Sequence, residues 1–314
     1  MRRPTMLLLT LVLAAAAPAA DRPSWPGLEP PALLHAIDEH DGSLIFKPWD
    51  LAFGPDDRTY VLCTGDSRVV VFDGDWRAAG AFGGAGGGPG EFEMASCLVV
   101  AGEEVRIFQP YRQTVFDRDG AWLRTDRMDV WVLDAVAVAG EVRAVISDAD
   151  RLGAALDAHG ALRGVFGPTN PHTDPAARME RSQWGIAWHL LPWDGGLQLL
   201  DSMEGVWYRD PEAATVLADL GAVLGRGWSR IEVDEDDETT TVNTTIWTPL
   251  SGAALDPHGR LWTCAREHGM LCVEADVPPR LGALRAGRYA VSPRGELVIL
   301  GYQAGEVKVY ALPE

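Results

Sequence analysis

Lysine is nearly absent. Of 27 basic residues only Lys47 and Lys308 are lysine; the rest are arginine, scattered without a basic stripe. Against them stand 45 acidic residues, for a formal net charge of −18. A chain this acidic is repelled by phosphate backbones and anionic headgroups, so nucleic acid is not an expected partner. Metal and nucleophile motifs are also missing. The 4 cysteines include no Cys-x-x-Cys and no Cys/His zinc spacing. The 7 histidines form no His-x-Glu-x-x-His or other paired motif, and no Gly-x-Ser-x-Gly occurs. Apart from the N-terminal segment, no apolar run reaches transmembrane length.

Apolar residues are not short, at 47%, enough for a full core. Residues 1–20 have the pattern of a secretory signal peptide. Arg2 and Arg3 give a charged start, Met6 to Ala17 is apolar apart from Thr10, and Pro18-Ala19-Ala20 supplies small residues before Asp21. The expected mature chain, 21–314, is a single secreted or periplasmic domain, monomeric and not inserted in a membrane.

From Pro48 onward a unit repeats. Pro48 to Phe53, Thr59 to Cys63, Arg68 to Phe72 and Trp76 to Phe82 read as four short strands separated by Pro-Asp-Asp, Gly-Asp-Ser and Asp-Gly-Asp turns. Four antiparallel strands in about 40 residues make one propeller blade. Further copies begin near Met94, Trp131, Gln183, Leu250 and Arg288, the fourth degenerate and the sixth one strand short. Apolar runs at Leu33 to Ile37 and Leu44 to Phe46 precede the first blade and belong to none. The expectation is therefore an all-β, six-bladed β-propeller whose last blade is completed by an N-terminal strand. Insertions at 167–181 and 225–246 interrupt the period. The second carries an acidic run, Asp234 to Glu238, read as a solvated turn, and then a Thr-rich stretch suited to a β-hairpin.

Between the first two units lies Phe82-Gly83-Gly84-Ala85-Gly86-Gly87-Gly88-Pro89-Gly90-Glu91-Phe92. It has no P-loop lysine, and Pro89 stands where a dinucleotide loop needs its third glycine, so it reads as a connector. This connector, with Gly65-Asp66-Ser67-Arg68-Val69 and the Asp turns, resembles the NHL-repeat class of six-bladed propellers, in particular secreted bacterial members whose activity is mostly unassigned. The resemblance runs from about Lys47 to Glu314 and is strongest over Pro48 to Asp126. It implies a fold and a binding surface. One departure is Cys63, where an Asp is typical.

The inner strands of a propeller line its axis, so their opening positions are candidate sites: Asp50, Ser96, Asp134, Trp184, Ser251, Arg288 and Tyr289. Asp50 and Asp134 occupy comparable registers. They either accept backbone hydrogen bonds from neighbouring strands or converge as an acid/base pair or cation site. Gluconolactonase-like propellers hold Ca²⁺ with carboxylate and Asn ligands, whereas the other blades here offer Ser and Arg. Trp184 and Trp188 share a face and either pack between blades or form an aromatic platform. His189 reads as a core residue. Cys264 and Cys272 flank Glu267-His268-Gly269 symmetrically, which in a hairpin predicts a disulfide. Cys63 and Cys97 either pair or remain buried thiols. The functional expectation is a non-catalytic binder of a protein, peptide or glycan, using Asp50, Asp134, Trp184, Trp188, Arg288 and Tyr289, with no metal or other cofactor. The alternative is a metal-dependent lactonase or lyase, with Ca²⁺, in the central channel.

Overall fold

A computed structural model of the chain describes residues 7–11, 26–146, 151–169, 188–202, 204–210, 215–224, 226, 228–235, 240–266, 268–275, 279–284, 286 and 288–313. Most of the signal-like segment, most of the first insertion and Trp184 lie outside the described residues. No described helix is long and apolar enough to cross a membrane.

Six four-stranded antiparallel sheets stand in a ring, giving a six-bladed β-propeller. Their innermost strands are Pro48–Phe53, Cys97–Ala101, Val132–Val138, Trp188–Trp193, Leu250–Leu255 and Arg288–Val291, and each touches the next in cyclic order. In the sixth blade the outermost strand is Ala32–Ile37, hydrogen-bonded antiparallel to Glu306–Ala311. Ring closure by an N-terminal strand is thus as expected from the orphan apolar run. In the second insertion, Trp228–Glu235 and Thr240–Trp247 pair antiparallel outside the blades, as the Thr-rich sequence suggests, and Leu7–Leu11 lies parallel to the second of them.

Burial falls from the middle of each blade to its rim. In the first blade every residue of Thr59–Cys63 is buried, whereas Ala78–Gly83 is almost wholly exposed. Apolar layers fill the gaps between consecutive blades. Tyr60, Leu62 and Val69 of blade 1 pack on Leu98, Ile107 and Phe116 of blade 2. Val61, Val70 and Phe72 use the opposite face of blade 1 to pack on Val298, Leu300 and Val307 of blade 6. The alternation of side chains along each strand therefore serves two neighbours at once.

A repeated carboxylate turn shapes the blades. Asp73, Asp117, Asp157 and Asp256 each accept two backbone N–H bonds, from the residues two and four positions on, at 2.8–3.0 Å. These bonds favour the charged form, and for Asp157 they hold the carboxyl below its ordinary value. In blade 6 Ser292 takes the same place, its Oγ accepting from Glu296 N at 3.1 Å.

The glycine connector is architectural. Phe92 N donates to Gly84 O at 2.9 Å, and Gly88 N donates to the Glu91 carboxylate at 2.8 Å. The fold of the loop drives Phe92, fully buried, against Phe116 of the next blade. Gly83 has φ +96°, and a Cβ there would lie 2.5 Å from the Phe92 ring.

The predicted disulfide needs correction. Cys264 lies opposite Met270, and Cys272 opposite Trp262, because the hairpin centres on position 267 and not on His268. The two cysteines are diagonal neighbours, about 7–8 Å apart in a regular ladder and beyond the reach of a disulfide. All four cysteines are thiols. Cys63 and Cys97 do not meet: the first packs between blades 6 and 1, the second between blades 2 and 3. Burial pushes the Cys63 thiol up to about 12 and Cys97 well above its ordinary value.

Two outcomes follow from this packing. Gly83→Ala combines a left-handed backbone with a clash against Phe92, and should cost about 2 kcal/mol or more in urea unfolding. A cost below about 0.5 kcal/mol would mean that the connector does not hold the two blades together. Thiol titration after denaturation without reductant should count all 4 cysteines; two missing thiols would restore the disulfide.

Candidate functional site

The inner strands enclose a central cavity of about 650 Å³. Asp50, Asp134, Trp188, Arg288 and Tyr289 all contribute to its wall, so the structure brings together every described member of the predicted set. Their surroundings divide them into two groups.

Trp188 and Tyr289 serve packing. Trp188 is buried with Val145, Leu190 and Leu199 between blades 3 and 4. Tyr289 is buried, and its hydroxyl lies 3.0 Å from Ser251 O and 3.3 Å from Trp262 O, tying blade 6 to blade 5. Ser96 and Ser251 play matched roles. Ser96 Oγ reaches Val132 O of blade 3 at 2.6 Å, and Ser251 Oγ reaches Ala286 O at the start of blade 6 at 3.3 Å.

Asp50, Asp134 and Arg288 form the charged group. The cavity leaves Asp50 and Asp134 partly open, yet protein surrounds both on every side. Asp50 Oδ2 accepts from Leu98 N of blade 2 at 2.8 Å, and Asp134 Oδ1 accepts from Ala135 N at 2.9 Å. Asp50 thus takes a backbone bond from a neighbouring strand, whereas Asp134 takes one only from the next residue of its own strand. Burial nevertheless dominates their titration. It raises Asp50 despite the opposing pull of Arg288. Asp134 rises to about 7, through burial first and the nearby Asp50 charge second.

Arg288 is the counter-charge, but not as a contact ion pair. Its guanidinium lies 3.5 Å from the centroid of the Trp49 ring. Among the described residues no carboxylate oxygen lies within ion-pair range of it; Asp50 and Asp134 act from further away, and burial pulls its pKa down. Trp49 is held in turn by its Nε1–H, which donates to Ser96 O at 2.8 Å. Tyr302 meets the Trp49 ring edge-on at 5.6 Å, and Lys47 Nζ lies 5.9 Å from the Tyr302 centroid and 5.5 Å from that of Phe46. An aromatic row thus runs outward from Arg288 through Trp49 to Tyr302 and Lys47. Reading the sequence for inner-strand openings missed Trp49, although it adjoins Asp50; the missing signal was its pairing with Arg288, which requires a closed ring.

His189 also lines the cavity, where burial and Arg288 press its pKa down to about 4, so it is neutral at physiological pH. Among the described residues no three His, Cys, Asp or Glu side chains converge to hold a metal ion.

No family model and no curated protein matches this chain. Solved structures do. A putative exported protein of Bacteroides fragilis is 8% identical, covering 98% of this chain and 100% of its own, at a TM-score of 0.55. A catalytically inactive virginiamycin B lyase from Staphylococcus aureus, solved with quinupristin, is 9% identical over 89% of this chain and 99% of its own, at 0.54. A protein of unknown function from Bacteroides thetaiotaomicron is 11% identical over 92% of this chain and 74% of its own, at 0.51. At these identities the likeness is one of fold.

The titration of Asp134 predicts a pH signature. The folded protein keeps the Asp134 proton up to about pH 7, against an ordinary value of 3.8. It therefore binds more protons than the unfolded chain in that window, and this group's contribution to stability falls as pH rises through it. His189 acts oppositely, its contribution being lost as pH falls from 6.5 to about 4. Asp134→Asn isolates the first effect: its stability gain over the wild type should grow from pH 4 to pH 7 and reach about 1–3 kcal/mol by urea unfolding. A pH-independent difference would remove Asp134 from the charged group.

Proposed function

We propose that this chain is an exported binding protein that takes a peptide into the mouth of its central channel and leaves it chemically unchanged. The observation that carries this reading is Arg288: a charged fork laid on Trp49, opening on a cavity of about 650 Å³, with no acceptor in contact among the described residues. A buried cation kept without a contact partner is costly unless a ligand completes it. The cavity size suits a few residues of chain. Export rests on the charged start, apolar run and small-residue exit of the first 20 residues. The reading needs no metal or cofactor. A Ca²⁺ ion between Asp50 and Asp134 would have to share the axis with the opposing charge of Arg288.

One observation favours a second reading. Asp134, raised to about 7 by burial and the nearby Asp50, is poised as a general acid or base, which suits a channel hydrolase or lyase. Incubating the purified protein with a defined peptide mixture and analysing both fractions by mass spectrometry separates the two. The binding reading expects retained peptides of unaltered mass. Turnover products that vanish in Asp134→Asn would replace it with the enzymatic one.

A further inference from the structure

We infer that the channel recognises its ligand through a single carboxylate, such as a peptide C-terminus, held in the plane of the Arg288 guanidinium above Trp49. The inference rests on the peptide-binding reading and names the chemistry of the contact.

Stacking decides the geometry. With one face of Arg288 covered by the Trp49 ring at 3.5 Å, its N–H donors point outward in the guanidinium plane. That fork matches the two oxygens of a carboxylate. Among the described residues, the acids, the thiol and the imidazole facing it from the other blades are bonded or uncharged, and one further cation, Arg266, shares the cavity wall. From blade 1, Asp50 has one oxygen bonded to Leu98 N. From blade 2, the Cys97 thiol is held protonated by burial. From blade 3 comes Asp134, bonded to its own neighbour's N–H. From blade 4, His189 is neutral. From blade 5, Arg266 lies 3.4 Å from Thr248 Oγ1. On blade 6 itself, the Tyr289 hydroxyl is given to the backbone of blade 5. Among the described residues, Arg288 is thus the cation at the axis whose fork is left open for recognition.

Charge then selects the ligand. A cation would meet Arg288. A dianionic phosphate would bring two negative charges beside Asp50. A monoanionic carboxylate balances Arg288, and Asp134, protonated below about pH 7, can share a hydrogen bond with it instead of repelling it. Apolar side chains of the same cavity wall, among them Trp49, Leu51, Leu98 and Leu190, are there to meet the rest of the ligand.

The probe is acetyl-trialanine with a free C-terminus, compared with its C-terminal amide. Binding is read by isothermal titration and by the indole N–H signal of Trp49, assigned with Trp49→Phe. The acid should bind at least about tenfold more tightly than the amide. Arg288→Gln should erase that preference, Arg288→Lys should restore only part of it, and acid binding should weaken from pH 6 to pH 8. If Arg288→Gln does not fold, the acid–amide comparison and the pH series on the wild type still decide. Equal binding of acid and amide, with the Trp49 signal shifted by both, would overturn the carboxylate assignment and leave channel binding standing. A Trp49 signal moved by neither probe would overturn both.

Discussion

The ring depends on one backbone pairing, between strands from opposite ends of the chain. Five blades are built from consecutive sequence, but the sixth is complete only when Ala32–Ile37 pairs with Glu306–Ala311. That pairing closes the last sheet and, through it, the layer of Val61, Val70, Val298 and Val307 that joins blade 6 to blade 1. The Trp49–Arg288 stack crosses the same seam. Closure and the candidate site therefore share the sixth blade, at its outer and inner edges respectively.

The axis is where the fold departs from simple apolar packing. Six inner strands bring two carboxylates, a guanidinium and an imidazole into one cavity with protein on all sides. Burial acts on all four in the direction that disfavours charge: the acids rise and the bases fall. The partial bonds to Leu98 N and Ala135 N hold the carboxylates in place without neutralising them. Structural side chains at the same level, such as Ser96 and Tyr289, are by contrast fully used in blade-to-blade bonds.

What the sequence made legible was local. Alternating apolar residues and Asp turns mark the blades because each signal is contained within a hairpin, and the orphan run at Leu33 to Ile37 marks the closure by its lack of a local partner. Asp50 and Asp134 could be found because they open equivalent strands. The Cys264–Cys272 register could not, since a shift of one position in the turn centre moves both thiols off the shared rung. Trp49 with Arg288 was equally hidden, because their approach is made by the ring and not by any segment. Of the first strand of the degenerate fourth unit, Trp188–Trp193 lies among the described residues, and Trp188 proves to be a packing residue.

The seam also has a temporal side. Ala32–Ile37 is made before the five consecutive blades and its partner after them, so the edge of Glu306–Ala311 finds its mate only once the rest of the ring has been laid down. Contacts of such sequence separation form slowly. Until then Leu33 and Leu34 travel with no strand to join, and an uncovered sheet edge is a template for any matching strand. At high concentration the matching strand nearest to hand belongs to another copy. Exchange of Ala32–Ile37 between two unfinished rings is the route to domain-swapped dimers that this architecture leaves open.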